Sequence, residues 1–213
     1  MDEPYKQIAG LIKPKPTTVW GLDFFPDLEP DVPNNRDHPL VWTSSQEVTD
    51  GNLDVVRSVV SELGESLRSI VEIGVNRNGD RSMSRILMDE RPKGSFYLGI
   101  DLDDKSYLDD ISANTWTLRC NSHDQDKIRG FLHDLRVTEI DLLFIDGNHS
   151  VDSCVNDWRY ADMLSANGVV ILHDTNGHPG CVALFEAING DLFTKQRFCL
   201  ENDFGIAVFR RKA

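Results

Sequence analysis

Two segments of the sequence place an aspartate and a histidine directly after an apolar run. Asp146 and His149 follow the first run, and His173 and Asp174 follow the second. Carboxylate oxygens and imidazole nitrogens are ligands for divalent cations such as Mg²⁺ or Mn²⁺. Carboxylates that meet at one edge of a sheet repel each other, and a cation relieves that repulsion. The pattern predicts a metal site at Asp146 and Asp174, with helix or loop capping by the two carboxylates as the alternative.

An earlier apolar run, residues 69–73, leads into a loop that carries two glycines. Gly74 would let a ligand approach the backbone closely, and Gly79 can take a positive φ. The helix predicted after the loop offers N–H groups that have no partner within the helix. The loop lacks the GxGxxG pattern of dinucleotide sites. It is therefore interpreted either as a ligand-binding loop of another kind or as an ordinary strand-to-helix turn.

Polar residues also follow the next two apolar runs. Asp101 closes the second run, where a carboxylate can accept hydrogen bonds from both hydroxyls of a ribose. A simple loop carboxylate is the alternative role for Asp101. Asp103 and Asp104 are predicted to cap the next helix. Ser122 and His123 follow the third run, from which their side chains can reach a base bound across the sheet.

The elements that must position these residues alternate along the chain from residue 50 onward. Asp50 is predicted to cap a helix that begins near Asn52 and ends at Gly64. Predicted strands are residues 69–73, 96–100, 115–118, 141–145, 169–172 and 205–209, and further helices are 82–89, 124–135, 151–164 and 182–188. This alternation predicts an α/β fold with a doubly wound, mainly parallel sheet. Ligands of such sheets bind beyond the carboxyl ends of the strands, where the residues above lie.

Composition narrows the class of protein. The chain has 213 residues and a formal net charge of −13. This charge argues against binding to nucleic acid and to anionic membranes, both of which require cationic surfaces. The cysteines, Cys120, Cys154, Cys181 and Cys199, form no CxxC pair, so we expect reduced thiols and a cytoplasmic protein.

At these motifs the sequence resembles the class I S-adenosylmethionine-dependent methyltransferases. Within them it is most similar to the branch that contains catechol O-methyltransferase-like and macrocin O-methyltransferase-like enzymes. The resemblance covers residues 52–210 and is most specific at residues 144–150 and 168–174. Asp157 falls where that branch often has an aspartate. The resemblance implies a Rossmann-like methyltransferase domain over residues 50–213.

The resemblance also implies roles for the cofactor-binding residues. Glu72 and Gly74 would lie beside the methionine part of S-adenosylmethionine, and Asp101 would hold its ribose. Ser122 and His123 would flank the adenine. The loop from Gly74 to Gly79 is longer than the usual form, which leaves its glycine contacts open.

A second set of implied roles concerns the reaction. Asp146 and Asp174 would bind the divalent cation, Mg²⁺ by expectation, and His173 would be a third ligand. Some relatives have Asp or Glu in place of His173, so a supporting or structural role for this residue is the alternative. His149 falls where the catechol enzymes carry a basic lysine, and it would act as the general base.

These roles predict metal-assisted O-methylation of a small-molecule hydroxyl, of sugar or phenol type. A cation can orient neighbouring oxygens and lower the pKa of the acceptor hydroxyl. Two other classes stay open: a methyltransferase fold that only binds ligands, and an NAD-dependent oxidoreductase, which the absent GxGxxG motif disfavours. Association with a second copy of the chain also stays open.

The first 49 residues form a separate part of the sequence. Seven of the nine prolines lie in residues 4–39, which predicts irregular structure. The same stretch and its surroundings carry Trp20, Phe24, Phe25 and Trp42, and large aromatics favour packing onto the domain. We interpret this extension as a lid over the acceptor site, with a static clasp as the alternative.

Overall fold

A computed structural model describes residues 21–23, 48–75, 82–176, 178–198 and 203–212. The helices are α1 (Asp50–Leu63), α2 (Met83–Asp89), α3 (Gln125–Asp134), α4 (Val151–Trp158) and α5 (Pro179–Ala187). The strands are β1 (Ser69–Ile73), β2 (Phe96–Asp101), β3 (Thr115–Arg119), β4 (Ile140–Ile145), β5 (Leu164–His173), β6 (Phe193–Phe198) and β7 (Ile206–Arg211). Short 3-10 turns occupy Gly64–Ser66, Ser106–Leu108, Ile111–Ala113 and Arg159–Met163.

The seven strands form one sheet in the order β3-β2-β1-β4-β5-β7-β6. Strands β1 to β5 are parallel to one another, and β7 runs antiparallel to both β5 and β6. The chain moves outward from β1 to β3 and then returns to place β4 on the other side of β1. This reversal opens a crevice at the carboxyl ends of the central strands, so the predicted doubly wound sheet is confirmed.

Helices cover both faces of the sheet and bury two apolar layers. One layer packs α3, α4 and α5 against residues such as Val71, Leu143 and Val170. The other packs α1 and α2 against residues such as Ile70 and Leu142. Because successive residues of a strand point to opposite faces, nearly every position of the central strands is buried. This is the reason for the continuous apolar runs in the sequence.

Most predicted elements are confirmed, and the differences have local causes. Thr49, and not Asp50, caps α1: its side chain accepts from Asn52 N at 3.3 Å, and Asp50 is the first helical residue. Asp103 and Asp104 cap no full helix, because only short 3-10 turns join β2 to β3, and Asp104 accepts from Ser106 N at 2.9 Å at the start of the first turn. Strand β6 was missed because its burial is incomplete and its sequence, FTKQRF, lacks an apolar run.

Residues 21–23 attach the N-terminal extension to the domain. Leu22 is 1% exposed and forms an isolated bridge with Ile188, just after α5. Asp23 N donates to Ala187 O at 2.7 Å. The expectation that the extension packs onto the domain is thus met at these residues, whereas Trp20, Phe24, Phe25 and Trp42 lie outside the described residues.

Two further observations concern membrane-spanning helices and the cysteines. No helix among the described residues is long and apolar enough to cross a membrane. Cys120, Cys154 and Cys181 are free and buried. The sulfur atoms of Cys154 and Cys181 lie 3.6 Å apart, a van der Waals contact between α4 and α5.

Candidate active site

A cleft of about 400 Å³ lies at the carboxyl ends of β1 to β4. This volume falls within the range of small-molecule sites in proteins. Its lining includes the predicted cofactor residues Gly74, Asp101, Ser122 and His123, together with Asp146. Four separate strand ends therefore contribute to one cleft, as the sequence predicted. Gly79 lies outside the described residues.

Gly74 is required by the backbone of the neighbouring loop. Its φ is +85°, and a Cβ atom there would lie 2.1 Å from the carbonyl oxygen of Asp146. Gly74 N also donates to Ile100 O at 2.9 Å, while Asp146 N donates to Ile73 O at 2.8 Å. The glycine thus lets the loop after β1 pass directly against the loop after β4. This contact forms the floor of the cleft. It is a second reason for glycine at position 74, besides the close approach of a ligand.

Asp101 is held in place by three donors. Its Oδ2 accepts from Val75 N at 3.0 Å, and its Oδ1 accepts from Asp103 N at 2.8 Å. Lys105 Nζ lies 3.3 Å from Oδ2, and the Lys105 side chain is only 2% exposed. Sequence reasoning missed this buried lysine, although its spacing of four residues from Asp101 was visible. Oδ2 thus has two donors, whereas Oδ1 has one and keeps a second lone pair that could face a ligand in the cleft.

Glu72 is fully buried beneath the cleft and is absent from its lining. Its Oε1 accepts from Ser84 Oγ at 2.6 Å, and its Oε2 accepts from the Tyr97 hydroxyl. Burial raises the pKa of Glu72 to about 8, against the opposing effect of these two hydrogen bonds. The residue therefore ties β1 to α2 and β2, and the structure places it away from the cleft surface predicted for it.

The far side of the cleft contains Ser122 and His123. Tyr160 Oη donates to Ser122 O at 2.6 Å, which fixes the loop after β3. His123 is exposed, and its backbone N–H donates to Asn121 Oδ1 at 3.0 Å. Asp157 lies behind this wall with no exposed surface, and burial raises its pKa to about 7.

The four predicted side chains at the ends of β4 and β5 form one cluster. His149 Nε2 lies 2.6 Å from Asp174 Oδ2 and 3.9 Å from Asp146 Oδ1. His173 Nδ1 lies 3.1 Å from Asp146 Oδ1 and 3.2 Å from Asp174 Oδ1. Each imidazole therefore lies between two carboxylates. The ligand atoms of Asp146, His173 and Asp174 are close enough to share one ion, so this donor set fits a divalent cation.

Asp174 has a strained backbone. Its φ of +60° lies in the left-handed region, which costs energy for a residue with a Cβ atom. The conformation turns the chain sharply at the end of β5, and His178 N donates to Asp174 O at 3.1 Å in the turn that follows. Burial raises the pKa of the Asp174 carboxyl, but the contacts with the His173 and His149 imidazoles lower it by a larger amount, so it lies well below its usual range.

The His149 ring is held in its positively charged, doubly protonated form by its neighbours. Burial lowers its pKa, but the hydrogen bonds and charges of Asp146 and Asp174 raise it more, to about 10. Its ring stacks on His178, with centroids 4.1 Å apart. His178 belongs to a second group that could hold an ion, with His149 and Asp174. Sequence reasoning missed His178 because it follows the strand by five residues and precedes a proline.

Asp146 joins the two parts of the site. It lines the cleft, and its carboxylate also contacts His173 and His149 in the cluster. The cluster therefore borders the cleft at the end of β4. A small molecule in the cleft and a second one at the cluster would meet at this residue.

Comparison with known proteins agrees with the fold. The model of a family described as a methyltransferase domain matches residues 61–175, more than half of the chain. The chain therefore belongs to this methyltransferase family. No curated protein matches it in sequence.

Solved structures share the fold at low sequence identity. An O-methyltransferase from Bacillus cereus in complex with SAH is 12% identical, with a TM-score of 0.57 over 79% of this chain and 84% of that one. MycE, a methyltransferase of the mycinamycin biosynthetic pathway in complex with Mg, SAH and mycinamycin VI, is 15% identical, with a TM-score of 0.55. That alignment covers 74% of this chain and 48% of MycE, so the chain spans about half of MycE.

A third solved structure shares the fold. CalS11, a TDP-rhamnose 3'-O-methyltransferase of calicheamicin biosynthesis, is 12% identical, with a TM-score of 0.52 over 76% of this chain and 81% of that one. These likenesses confirm the class I methyltransferase fold that the sequence predicted.

Proposed function

We propose that this chain is an S-adenosylmethionine-dependent O-methyltransferase that acts, with a divalent cation, on a hydroxyl of a sugar or phenol. The observation that carries the proposal is the position of Asp146, which belongs both to the cleft and to the cluster. The methyl donor and the acceptor hydroxyl must lie side by side for an in-line transfer. A cofactor in the cleft and an acceptor at the cluster satisfy this requirement.

The cleft residues would bind the cofactor. S-adenosylmethionine, when bound, supplies a methyl group on a positively charged sulfur. Asp101 would accept hydrogen bonds from the ribose hydroxyls, since Lys105 and two backbone amides already fix its carboxylate. Ser122 and His123 would lie beside the adenine, and the loop that carries Gly74 would lie beside the methionine part.

The cluster residues would bind the cation and prepare the acceptor. Asp146 and Asp174 would hold Mg²⁺, with His173 between them. When bound, the cation supplies positive charge that orients the acceptor hydroxyl and lowers its pKa. Charge neutralisation at Asp146 and Asp174 would also lower the pKa of His149, because these carboxylates hold its proton.

His149 would then take the proton of the acceptor hydroxyl at Nε2. When bound, S-adenosylmethionine would supply the methyl group to the acceptor oxygen, and the electron pair of its carbon–sulfur bond would stay on the sulfur of the S-adenosylhomocysteine released. Residues of the cleft and cluster thus serve to align the two reactants and to remove one proton.

A transfer assay tests the proposal. The protein is incubated with radiolabelled S-adenosylmethionine and a panel of sugars and phenols with neighbouring hydroxyls, in Mg²⁺ and in excess chelator. We expect transfer to at least one acceptor and its loss in chelator. Full activity in chelator would reject the metal-assisted mechanism. Cofactor binding without transfer to any acceptor would favour a protein that only binds ligands.

A further inference from the structure

A buried polar chain connects α1 to the candidate metal cluster. It consists of Asp203 before β7, Asn52 on α1 and His173 at the end of β5, each at most 3% exposed. Asn52 Nδ2 lies 3.1 Å from Asp203 Oδ1 and 3.1 Å from His173 Nε2. The other ring nitrogen of His173 faces Asp146 and Asp174. Asn52 therefore contacts the imidazole on the side away from the carboxylates.

The orientation of the Asn52 amide follows from Asp203. Asp203 Oδ2 accepts from Thr49 Oγ1 at 2.6 Å, and Oδ1 accepts from Gly205 N at 2.8 Å. A carboxylate surrounded by donors can only accept, so the Asn52 atom beside it must be the amide nitrogen. The amide NH₂ has two hydrogens, and the second one points to His173 Nε2.

The amide in turn fixes the proton of His173. A ring nitrogen that accepts a hydrogen bond carries no proton, so Nε2 must be the unprotonated nitrogen. The single proton of the neutral ring then lies on Nδ1. From there it is shared between Asp146 Oδ1 at 3.1 Å and Asp174 Oδ1 at 3.2 Å. A nitrogen that carries a proton has no lone pair for a metal ion.

We infer that His173 is a positioning residue that holds the Asp146 and Asp174 carboxylates together through its Nδ1–H, while the cation is bound by carboxylate oxygens alone. This inference rests on the proposed cation site and refines its ligand set. Asn52 and Asp203 belong to the same hydrogen-bonded chain and select the tautomer of His173. An all-oxygen protein ligand set also agrees with Mg²⁺, which prefers oxygen ligands.

The tautomer can be measured directly in the full-length protein. Protein labelled with ¹⁵N at histidine is studied by long-range ¹H–¹⁵N NMR, without metal and with saturating Mg²⁺, and His173→Asn assigns the resonances. We expect His173 to show a protonated Nδ1 and an unprotonated Nε2 in both samples. A protonated Nε2, or loss of the Nδ1 proton when Mg²⁺ binds, would overturn the inference.

Cation affinity gives a second, independent readout through Asn52→Leu. This variant removes the donor that selects the tautomer but touches no carboxylate of the cluster. We expect calorimetry to show about 10-fold weaker binding of Mg²⁺ and Mn²⁺, since the carboxylates lose their shared donor. If His173 were a ligand, loss of Asn52 would free Nδ1 and leave binding unchanged or tighter, which contradicts the inference. Asn156→Leu, on α4, is the matched control.

Rescue by a conservative change completes the test. Asn at position 173 keeps an N–H near the place of Nδ1, whereas Leu does not. We expect His173→Asn to bind Mn²⁺ within about 3-fold of the parent protein and His173→Leu to bind about 10-fold more weakly. Equal losses in both variants would count against the donor role. None of these measurements needs methyl transfer, so an inactive protein would reject the proposed function and leave this inference testable.

Discussion

At the scale of single residues, most candidate groups do two things at once. Asp101 closes the cleft and also fixes the loop before Asp103. Asp146 lines the cleft and pairs with His173. Because each of these residues has two roles, the effect of substituting it must be followed by more than one measurement.

Asp101→Ala should weaken S-adenosylmethionine binding by about 1.5–3 kcal/mol, because the ribose hydroxyls would lose charge-assisted hydrogen bonds. Titration calorimetry of both proteins measures the change. Asp104→Ala is the matched control, since Asp104 lies on the same loop and its side chain accepts from Ser106 N. Equal affinities in the parent and Asp101→Ala would remove Asp101 from the ribose site.

His149→Ala should lower kcat by about 10²–10⁴-fold at saturating Mg²⁺, because the acceptor hydroxyl would lose its base. S-adenosylmethionine affinity should change little, since His149 lies in the cluster and not in the cleft lining. His133→Ala, whose side chain is 87% exposed, is the control. A His149→Ala protein with near-parental kcat would assign proton removal to another group.

Glu72 should make the protein less stable as the pH rises. Its pKa is about 8 in the folded protein and 4.5 as the ordinary value, so between these pH values the folded state keeps a proton that the unfolded chain releases. The free energy of unfolding therefore falls through this window. In Glu72→Gln the fall should be smaller, by on the order of 2–4 kcal/mol.

Urea unfolding of both proteins between about pH 5 and about pH 9 checks the Glu72 prediction. Asp157, with a pKa of about 7, adds the same trend to both proteins and cancels in the comparison. Parallel curves for the parent and Glu72→Gln would show that Glu72 does not titrate in this range.

At the scale of elements, the start of α5 presses against the loop that carries His149. A Cβ atom on Gly180 would lie 2.2 Å from the carbonyl oxygen of His149 and 2.6 Å from the carbonyl carbon of Ser150. Because Gly180 has no side chain, the loop that carries His149 can approach the start of α5 and reach Asp174. Helix packing, and not loop sequence alone, places the candidate base.

Gly180→Ala should therefore displace His149 and lower kcat by about 10-fold or more, with cofactor affinity largely kept. Gly130→Ala on α3 is the matched control, because nothing lies within 4 Å of a Cβ atom there. That control should leave kcat unchanged and raise stability by about 0.5–1 kcal/mol. Unchanged turnover in Gly180→Ala would show that the loop can yield without loss of function.

At the scale of the whole molecule, the described part of the N-terminal extension lies away from the site. Helix α5 starts beside the cluster and ends at Ala187, and Leu22 forms its bridge with Ile188, directly after that end of the helix. This placement favours a clasp at Leu22, while the lid role stays a prediction for the rest of residues 1–49.

Two changes separate the clasp from the lid. Leu22→Ala should destabilise the protein by about 2–5 kcal/mol, because a fully buried side chain is lost, with kcat unchanged under native conditions. Trp42→Ala should instead lower turnover more than cofactor affinity, if the extension covers the acceptor. Thermal unfolding and steady-state kinetics measure both effects. Unchanged kinetics in Trp42→Ala, and also in Trp20→Ala, would rule against a lid formed by these aromatics.

The sequence by itself determined the sheet and the strand ends that carry polar residues. Apolar runs of strand length reveal buried parallel strands, because both faces of such strands are covered. Asp101, Asp146 and Asp174 could be predicted as candidate site residues because each lies at the end of such a run. Strand β6 could not, since an incompletely buried strand needs no apolar pattern.

Only the tertiary structure decided how these residues are used. Glu72 faces Ser84 and Tyr97 instead of the cleft, because alternate residues of β1 point to opposite faces of the sheet. Asn52 and Asp203 are separated by 151 positions in sequence, yet together they orient His173. Local sequence fixes which residues end a strand, but the partners of a buried polar group come from distant elements, and packing alone brings them within hydrogen-bond distance.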